Sequence, residues 1–251
     1  MRLFFLSLIV FFQFSFALAT PVRVMIDPGH GGEDHGAQYQ EIKEKTVALG
    51  VALELKKLLS ADKNFVPLMT REGDDFVSLS ARPEKAINSK ADLFVSIHAN
   101  SSPALEAKGT EFYFENQVAS NEETELLANR ENNSKNVKGN SVPDQNTDLE
   151  NIMTDLNHHE HMILSQQLCQ LLLEAFQQQI KIKTRSIRQA PFHVLLAPMP
   201  SALIELGFIS NPGEARWLNE SVTQYKMAKA IYSGLRRFKE KLDKTHKKNV
   251  N

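Results

Sequence analysis

The sequence predicts an α/β fold in a single domain, a mainly parallel mixed sheet with helices on both faces. Apolar runs of strand length alternate with longer segments whose apolar residues recur at helical spacing, the pattern of a sheet covered on both sides. The chain has 251 residues, which suits one domain of moderate size. Its one cysteine, Cys169, cannot build an internal disulfide framework, so a core or a metal must hold the fold. Set within "LCQLLLEAF", that cysteine reads as a core residue rather than a nucleophile.

Residues 1–19 stand apart from the rest. "MRLFFLSLIVFFQFSFALAT" has one Arg, an apolar run and a small-x-small end at Ala17-Leu18-Ala19, the layout of a secretory signal cleaved near Ala19. A bilayer span needs roughly 20 apolar residues, and the run is short for one. An uncleaved anchor is the alternative. The signal implies a periplasmic or secreted protein.

The catalytic domain is expected over 20–240. "VRVMID" is a buried strand running into a glycine-rich loop, and "EKTVALGVALELKKLLS" carries a helical stripe through Val47, Ala48, Val51, Leu55, Leu58 and Leu59. "FVPLMT" is a second strand, "SARPEKAINSK" a second helix, and "DLFVSIHANSS" a third strand ending in a polar cluster. "GTEFYF" alternates as a further strand. From about Asn116 to Asp148 the chain turns rich in Asn, Glu, Ser and Lys and reads as a mobile surface insertion. Helical spacing returns from Leu149 to Leu173. "FHVLLA" and "SALIEL" are two late strands, and "SVTQYKMAKAIYSGLRRFKEKL" is a closing helix. The polar, basic tail 241–251 is expected to fray.

Charge is almost balanced, with 29 basic and 30 acidic side chains, so nothing global points to nucleic acid as a partner. The chemistry is sought instead in "VMIDPGHGGEDHGA", with four glycines within eight positions around His30. A phosphate-binding loop would end in Gly-Lys-Ser/Thr or follow G-x-G-x-x-G with an acidic residue about 20 positions on. This loop has no lysine, and Glu33 and Asp34 would repel a phosphate. A metal reading requires ligands at other strand ends. His98 ends an apolar strand, and Glu44 opens the first helix; two histidines and a glutamate with one open position form a known catalytic zinc arrangement. Each has a plainer alternative, a satisfied core histidine for His98 and a helix-dipole contact for Glu44. Glu205, inside the apolar "PSALIELGFISN", is costly to bury without a charged partner or a task.

"IDPGHGGEDHGA", "EKTVAL", Thr70-Arg71, "SIHANSS", "QAPFHVL" and "PSALIELGFISNPGEARWL", in this order, resemble the zinc-dependent N-acetylmuramoyl-L-alanine amidases of bacterial cell-wall cleavage. The resemblance runs from about Val22 to the C-terminus. It implies that His30, Glu44 and His98 hold one Zn2+ and that Glu205 is the catalytic glutamate. It also implies hydrolysis of the amide between the lactyl group of N-acetylmuramic acid and L-alanine of the stem peptide, in wall remodelling and daughter-cell separation. The substrate would be peptidoglycan, muropeptides or a lipid-linked precursor. "LLANRENN" and "DLENIMTDL" are similar to a segment of division amidases that covers the zinc until an activator protein displaces it, which makes 117–157 an autoinhibitory insertion and Asp148, Glu150 and Asp155 its candidate blocking carboxylates. An ordinary amphipathic surface helix is the alternative.

Two positions depart from the family pattern. Many relatives carry Pro where this chain has His35, read as a solvated loop residue, and an acidic residue where it has Asn100, which leaves the surroundings of the metal open. In "HHEH" at 158–161 only His158 and His161 could share a helix face, and a solvated face is the better reading. Ser60-Ala-Asp-Lys63, "SKN" at 134–136 and "KGT" at 108–110 resemble fragments of penicillin-binding serine enzymes, with the last two in reversed order. An additional penicillin-sensitive carboxypeptidase activity through Ser60 and Lys63 is therefore an alternative, as is a non-catalytic wall-binding or regulatory module.

Overall fold

The computed structural model describes residues 20–133, 148–180 and 184–249, and side chains for these except 148–157, 184–185 and 246–249. Residues 1–19, where a signal is expected, and the "SKN" fragment lie outside the described residues. Among the described residues, no helix is long and apolar enough to cross a membrane.

Strand β1 (Val22–Pro28) is followed by a two-residue hairpin, β2 (Gln38–Tyr39) and β3 (Ile42–Lys43), and by helix α1 (Glu44–Ser60). Then come β4 (Phe65–Met69), α2 (Ala81–Asn88), β5 (Leu93–Asn100), β6 (Thr110–Glu115) and α3 (Glu122–Asn132). The chain continues through α4 (Asp148–Gln179), β7 (Thr184–Ala190), a 3-10 turn (His193–Leu195), β8 (Ser201–Phe208), α5 (Pro212–Leu218) and α6 (Ser221–Asn249). The main sheet has the order β4-β1-β5-β8-β6-β7. The pairs β4/β1, β1/β5 and β5/β8 are parallel, whereas β6 runs antiparallel to β8 and parallel to β7. The sheet is thus mainly parallel and mixed, as expected.

Strands β5 and β8 are buried along their whole length because they lie in the middle of the sheet. That is why they read as continuous apolar runs rather than alternating ones. On one face α1, α4 and α6 cover a core of Val24, Ile26, Val51, Leu55, Val95, Ile97, Leu172, Phe176, Ile204 and Ile231. The opposite face, under α2, α3 and the 3-10 turn, is smaller and holds Met25, Phe94, Tyr113, Leu127, Phe192, Val194 and Leu203. Cys169 is fully buried in the larger core, its Sγ 3.4 Å from the Tyr113 carbonyl, and burial pushes its thiol pKa up.

Three expectations need correction. The expected insertion contains α3, whose Thr124, Leu127, Ala128 and Glu131 are buried, so part of it is a packed element. Asn121 caps that helix by accepting the Thr124 N–H at 2.9 Å. "FHVLLA" forms no strand: Phe192, Val194 and Leu195 bury their side chains from a 3-10 turn without entering the sheet. The strand at that edge, absent from the expected elements, is β7, "TRSIRQA", whose mostly polar residues gave no apolar signal. Finally, α6 runs on to Asn249, through most of the tail expected to fray.

Candidate metal centre and catalytic carboxylate

The C-terminal ends of β1 and β5 bring His30 and His98 together, with ring centroids 5.0 Å apart and planes at 74°. This is the sheet edge where α/β proteins bind ligands. Gly29 stands between strand and ligand, and a Cβ there would lie 2.4 Å from the His98 ring. At Gly36, with φ +63°, a Cβ would meet Glu44 Oε2 and the His30 ring at 2.5 Å. The glycines therefore admit backbone close to the imidazoles.

Glu44 opens α1 and is buried with both carboxylate oxygens engaged. Oε2 accepts the Ala37 N–H at 2.8 Å, and Oε1 accepts the Ala99 N–H at 3.0 Å. Oε1 also lies 3.0 Å from His98 Nδ1 and 3.1 Å from His30 Nε2. Asp34 Oδ2 sits 2.9 Å from His30 Nδ1, fixing a proton on that nitrogen and turning Nε2 towards the cluster. Burial alone would lower the His30 pKa, but the Glu44 and Asp34 carboxylates outweigh it and hold the imidazole well above its ordinary value. Conversely, burial would raise Glu44, and the two imidazoles hold it well below the carboxylate range.

A fourth donor comes from α3. Glu131 Oε2 lies 3.6 Å from His30 Nε2 and 3.5 Å from His98 Nδ1. The sequence reading missed this residue; the signal was its place on the buried Leu127-Ala128-Glu131 face. His30, Glu44, His98 and Glu131 each offer one donor atom, all within 4.8 Å of one another. Donors around one zinc at about 2.0–2.1 Å stand roughly 3.3 Å apart, so the measured separations suit a single ion. His30 Nε2 is buried without a hydrogen-bond partner among the described residues, which fits a ligand atom.

Glu205 is fully buried on β8 at the register position beside His98, and neither carboxylate oxygen has a hydrogen-bond partner among the described residues. Across the antiparallel pair it faces Glu111. Burial, then Glu44 and Glu131, raise its pKa well above the ordinary value; Arg130 opposes them and Glu111 adds to the rise. A groove of about 450 Å³ runs past His30 and Glu44, bordered by Asp34, Ala37, Ser101, Arg130, Glu131 and Asn133.

Asn100, the departure from the family pattern, is buried and tied in on both sides. Its Nδ2 donates to Glu111 Oε2 at 2.9 Å, and its Oδ1 accepts from Arg130 at 3.0 Å. Arg130 also donates to the Ser101 carbonyl at 2.8 Å, so the loop after β5 holds the C-terminal end of α3. His35 is exposed, as expected of a solvated loop residue.

The remaining candidates lie apart. Ser60 ends α1 and Lys63 follows it, both exposed before β4, at the edge of the sheet opposite His98, whereas Lys108-Gly109-Thr110 opens β6 at the near edge. The structure does not bring Ser60 and Lys63 together with Lys108-Gly109-Thr110. His158 lies 3.3 Å from Glu115, and the His161 carbonyl accepts from Ser165. Asp148, Glu150 and Asp155 fall in α4, but their side chains lie outside the described ones.

The sequence matches the N-acetylmuramoyl-L-alanine amidase family over residues 24–237. It is 36% identical over 215 residues to the N-acetylmuramoyl-L-alanine amidase AmiA of Escherichia coli, covering 84% of this chain and 74% of that protein. It is 36% identical over 219 residues to the amidase AmiC of Neisseria meningitidis, where it covers 86% of this chain but 52% of the relative. The chain thus spans about half the length of that relative. Among solved structures, the catalytic domain of the Paenibacillus polymyxa amidase CwlV superposes with a TM-score of 0.67 at 27% identity, covering 87% of this chain and 98% of that domain.

Proposed function

The chain belongs to the N-acetylmuramoyl-L-alanine amidase family, and on that footing we propose that it is a zinc hydrolase of peptidoglycan. It cleaves the amide between the lactyl group of N-acetylmuramic acid and L-alanine of the stem peptide. The observation that carries this reading is a buried four-donor group beside a buried carboxylate that has no hydrogen-bond partner among the described residues.

His30, Glu44 and His98 hold the ion. When bound, it supplies Lewis-acid polarisation of the scissile carbonyl and lowers the pKa of water at the site. Asp34 fixes the His30 tautomer, and the Ala37 and Ala99 amides clamp Glu44, so the ligands are set before the ion arrives. Glu205 takes a proton from the attacking water and delivers it to the leaving amine. Its proton affinity, raised by burial and by the neighbouring carboxylates Glu44 and Glu131, favours taking that proton. No covalent enzyme intermediate is needed.

Glu131 supports a second statement, that the 117–157 insertion lowers basal activity. A catalytic zinc keeps one position open, and Glu131 stands where a fourth donor would close it. In this reading Glu131, rather than Asp148, Glu150 or Asp155, is the blocking carboxylate. A partner protein that draws α3 away would then activate the enzyme. Export after cleavage near Ala19 would place the chain with its substrate in the periplasm or outside the cell, where it serves wall remodelling and daughter-cell separation.

The test is direct. Mature protein is incubated with purified sacculi, with muropeptides and with lipid-linked precursor, with zinc or with chelator, and the products are read by mass spectrometry. Release of intact stem peptides from the lactyl group, abolished by chelator, is the expected result, and the three substrates show which carrier is preferred. Intact lactyl-alanine bonds throughout, including for a Glu131→Ala variant, would favour a non-catalytic wall-binding module.

A further inference from the structure

Two buried arginines, neither of which bonds to a donor atom of the four-residue group, converge on the backbone of the metal loop. Arg82 on α2 uses all five of its N–H groups. Its Nη1 donates to Asp27 Oδ1 at 2.7 Å and to the Pro28 carbonyl at 2.8 Å. Nη2 donates to the His30 carbonyl at 2.8 Å and the Val77 carbonyl at 3.0 Å, and Nε to Val77 at 3.2 Å. From the other side, Arg71 donates Nε to the Pro28 carbonyl at 3.0 Å and Nη2 to the Gly29 carbonyl at 2.8 Å. Its remaining bonds go to the carbonyls of Lys45, the residue after ligand Glu44, at 2.9 Å and of Gly73 at 2.8 Å.

Three consecutive carbonyls, those of Pro28, Gly29 and His30, are therefore spent on guanidinium groups. At the end of this run His30 has φ +57°, a left-handed conformation that residues with a side chain rarely adopt. A short loop left to itself would leave that conformation, and the imidazole would turn with the backbone. Holding the His30 carbonyl from beneath keeps the ring on the opposite side, towards Glu44 and His98.

We infer that Arg82 and Arg71 are positioning residues of the metal centre: by gripping the carbonyls of residues 28–30 they hold His30 in the left-handed conformation that aims Nε2 at the ion. The inference rests on the metal reading above. A lysine cannot replace either arginine, because one ammonium cannot span carbonyls that a planar five-donor fork reaches together. Asp27 serves a different purpose. With Thr70 and Ser96 bonded to its oxygens it compensates the buried guanidinium but touches no ligand.

The experiment uses the full mature chain and its Arg82→Lys, Arg71→Lys and Asp27→Asn variants. Zinc affinity is measured by competition with a chromophoric chelator, the absorption of the cobalt-substituted protein reports ligand geometry, and circular dichroism with thermal unfolding reports the fold of the metal-free chain. For folded Arg82→Lys, zinc affinity is expected to fall about 10- to 100-fold, the range for removing outer partners of a ligand, with shifted cobalt bands. Asp27→Asn is expected to unfold at lower temperature while keeping zinc affinity within threefold. If Arg82→Lys does not fold, Arg71→Lys decides by the same readings. Unchanged affinity and cobalt spectrum in the folded arginine variants overturn the inference. So does an equal loss of affinity in Asp27→Asn, which would mean that the arginine acts only through general stability. A wild-type chain that takes up no zinc overturns the metal reading itself, and this inference with it.

Discussion

His98 and Glu205 occupy partner positions on the neighbouring parallel strands β5 and β8, at the edge of the sheet where His30 arrives from β1. One register relationship therefore places side by side the residues proposed as a metal donor and as the proton carrier. In Glu205→Gln the donors of the metal group are untouched, so zinc content is expected to stay at the wild-type level. Turnover on muropeptides should fall by roughly 10²- to 10⁴-fold, the usual contribution of general acid–base catalysis. Steady-state kinetics with metal analysis check both halves, and zinc loss that parallels the fall in rate would place Glu205 among the ligands instead.

Glu131→Ala should act in the opposite direction. Removing the fourth donor while leaving His30, Glu44 and His98 in place is expected to raise basal hydrolysis of sacculi by roughly 5- to 150-fold, the span of typical coupling free energies. Loss of Arg130, which ties α3 to Asn100 and the Ser101 carbonyl, should raise it by less, since Glu131 remains. A dye-release assay on sacculi reads both. Lower activity in Glu131→Ala would make Glu131 a working ligand.

Proton competition at His30 sets a pH dependence. In the metal-free chain its pKa lies well above the ordinary 6.5, so the stability its charged form contributes is fully present below about 6.5 and is lost as pH rises through the higher folded value. A metal ligand must be neutral, so binding expels that proton. Zinc affinity should therefore keep rising above pH 6.5, by up to about tenfold per unit. Asp34→Asn should flatten that rise, because it removes one of the carboxylates that hold the proton. Chelator competition from pH 5.5 to 9 checks both, and a wild-type profile flat above 6.5 would refute the assignment.

Asp27 makes the acid side steep. Burial would raise its pKa, but Arg82, Thr70 and Ser96 together lower it below 3.8. Its contribution to stability is thus present above an unfolded value of about 3.9 and is lost as pH falls through the lower folded value. Asp27→Asn leaves Arg82 buried without its charge partner and should cost about 3–5 kcal/mol at pH 7. The difference from wild type should narrow on acidification below about pH 4. Denaturant melts across that range check it.

Periodicity and composition, by themselves, determined the fold class and the elements β1, α1, β5, β8 and α6; they marked His30, Glu44, His98 and Glu205 only as candidates, whose roles are what the resemblance to the amidases implies. The reason is local. Strands buried on both faces must be apolar throughout, so a histidine or glutamate that interrupts one stands out in the string of letters. Edge strand β7 left no such mark, because an edge pairs on one side only and, apart from Ile187 and Ala190, its residues are polar. "FHVLLA" misled for the converse reason: an apolar run reports burial, and Val194 and Leu195 are buried from a turn.

Only the tertiary structure decided what surrounds the four residues. Glu131 reaches the metal group because α3 folds back over the sheet edge, Asn100 joins Glu111 to Arg130, and Arg71 and Arg82 grip the loop from two different elements. Each of these contacts joins residues distant in sequence, and no spacing rule within a helix or strand encodes them. A buried polar group must find a partner, but which partner it finds depends on how the elements pack.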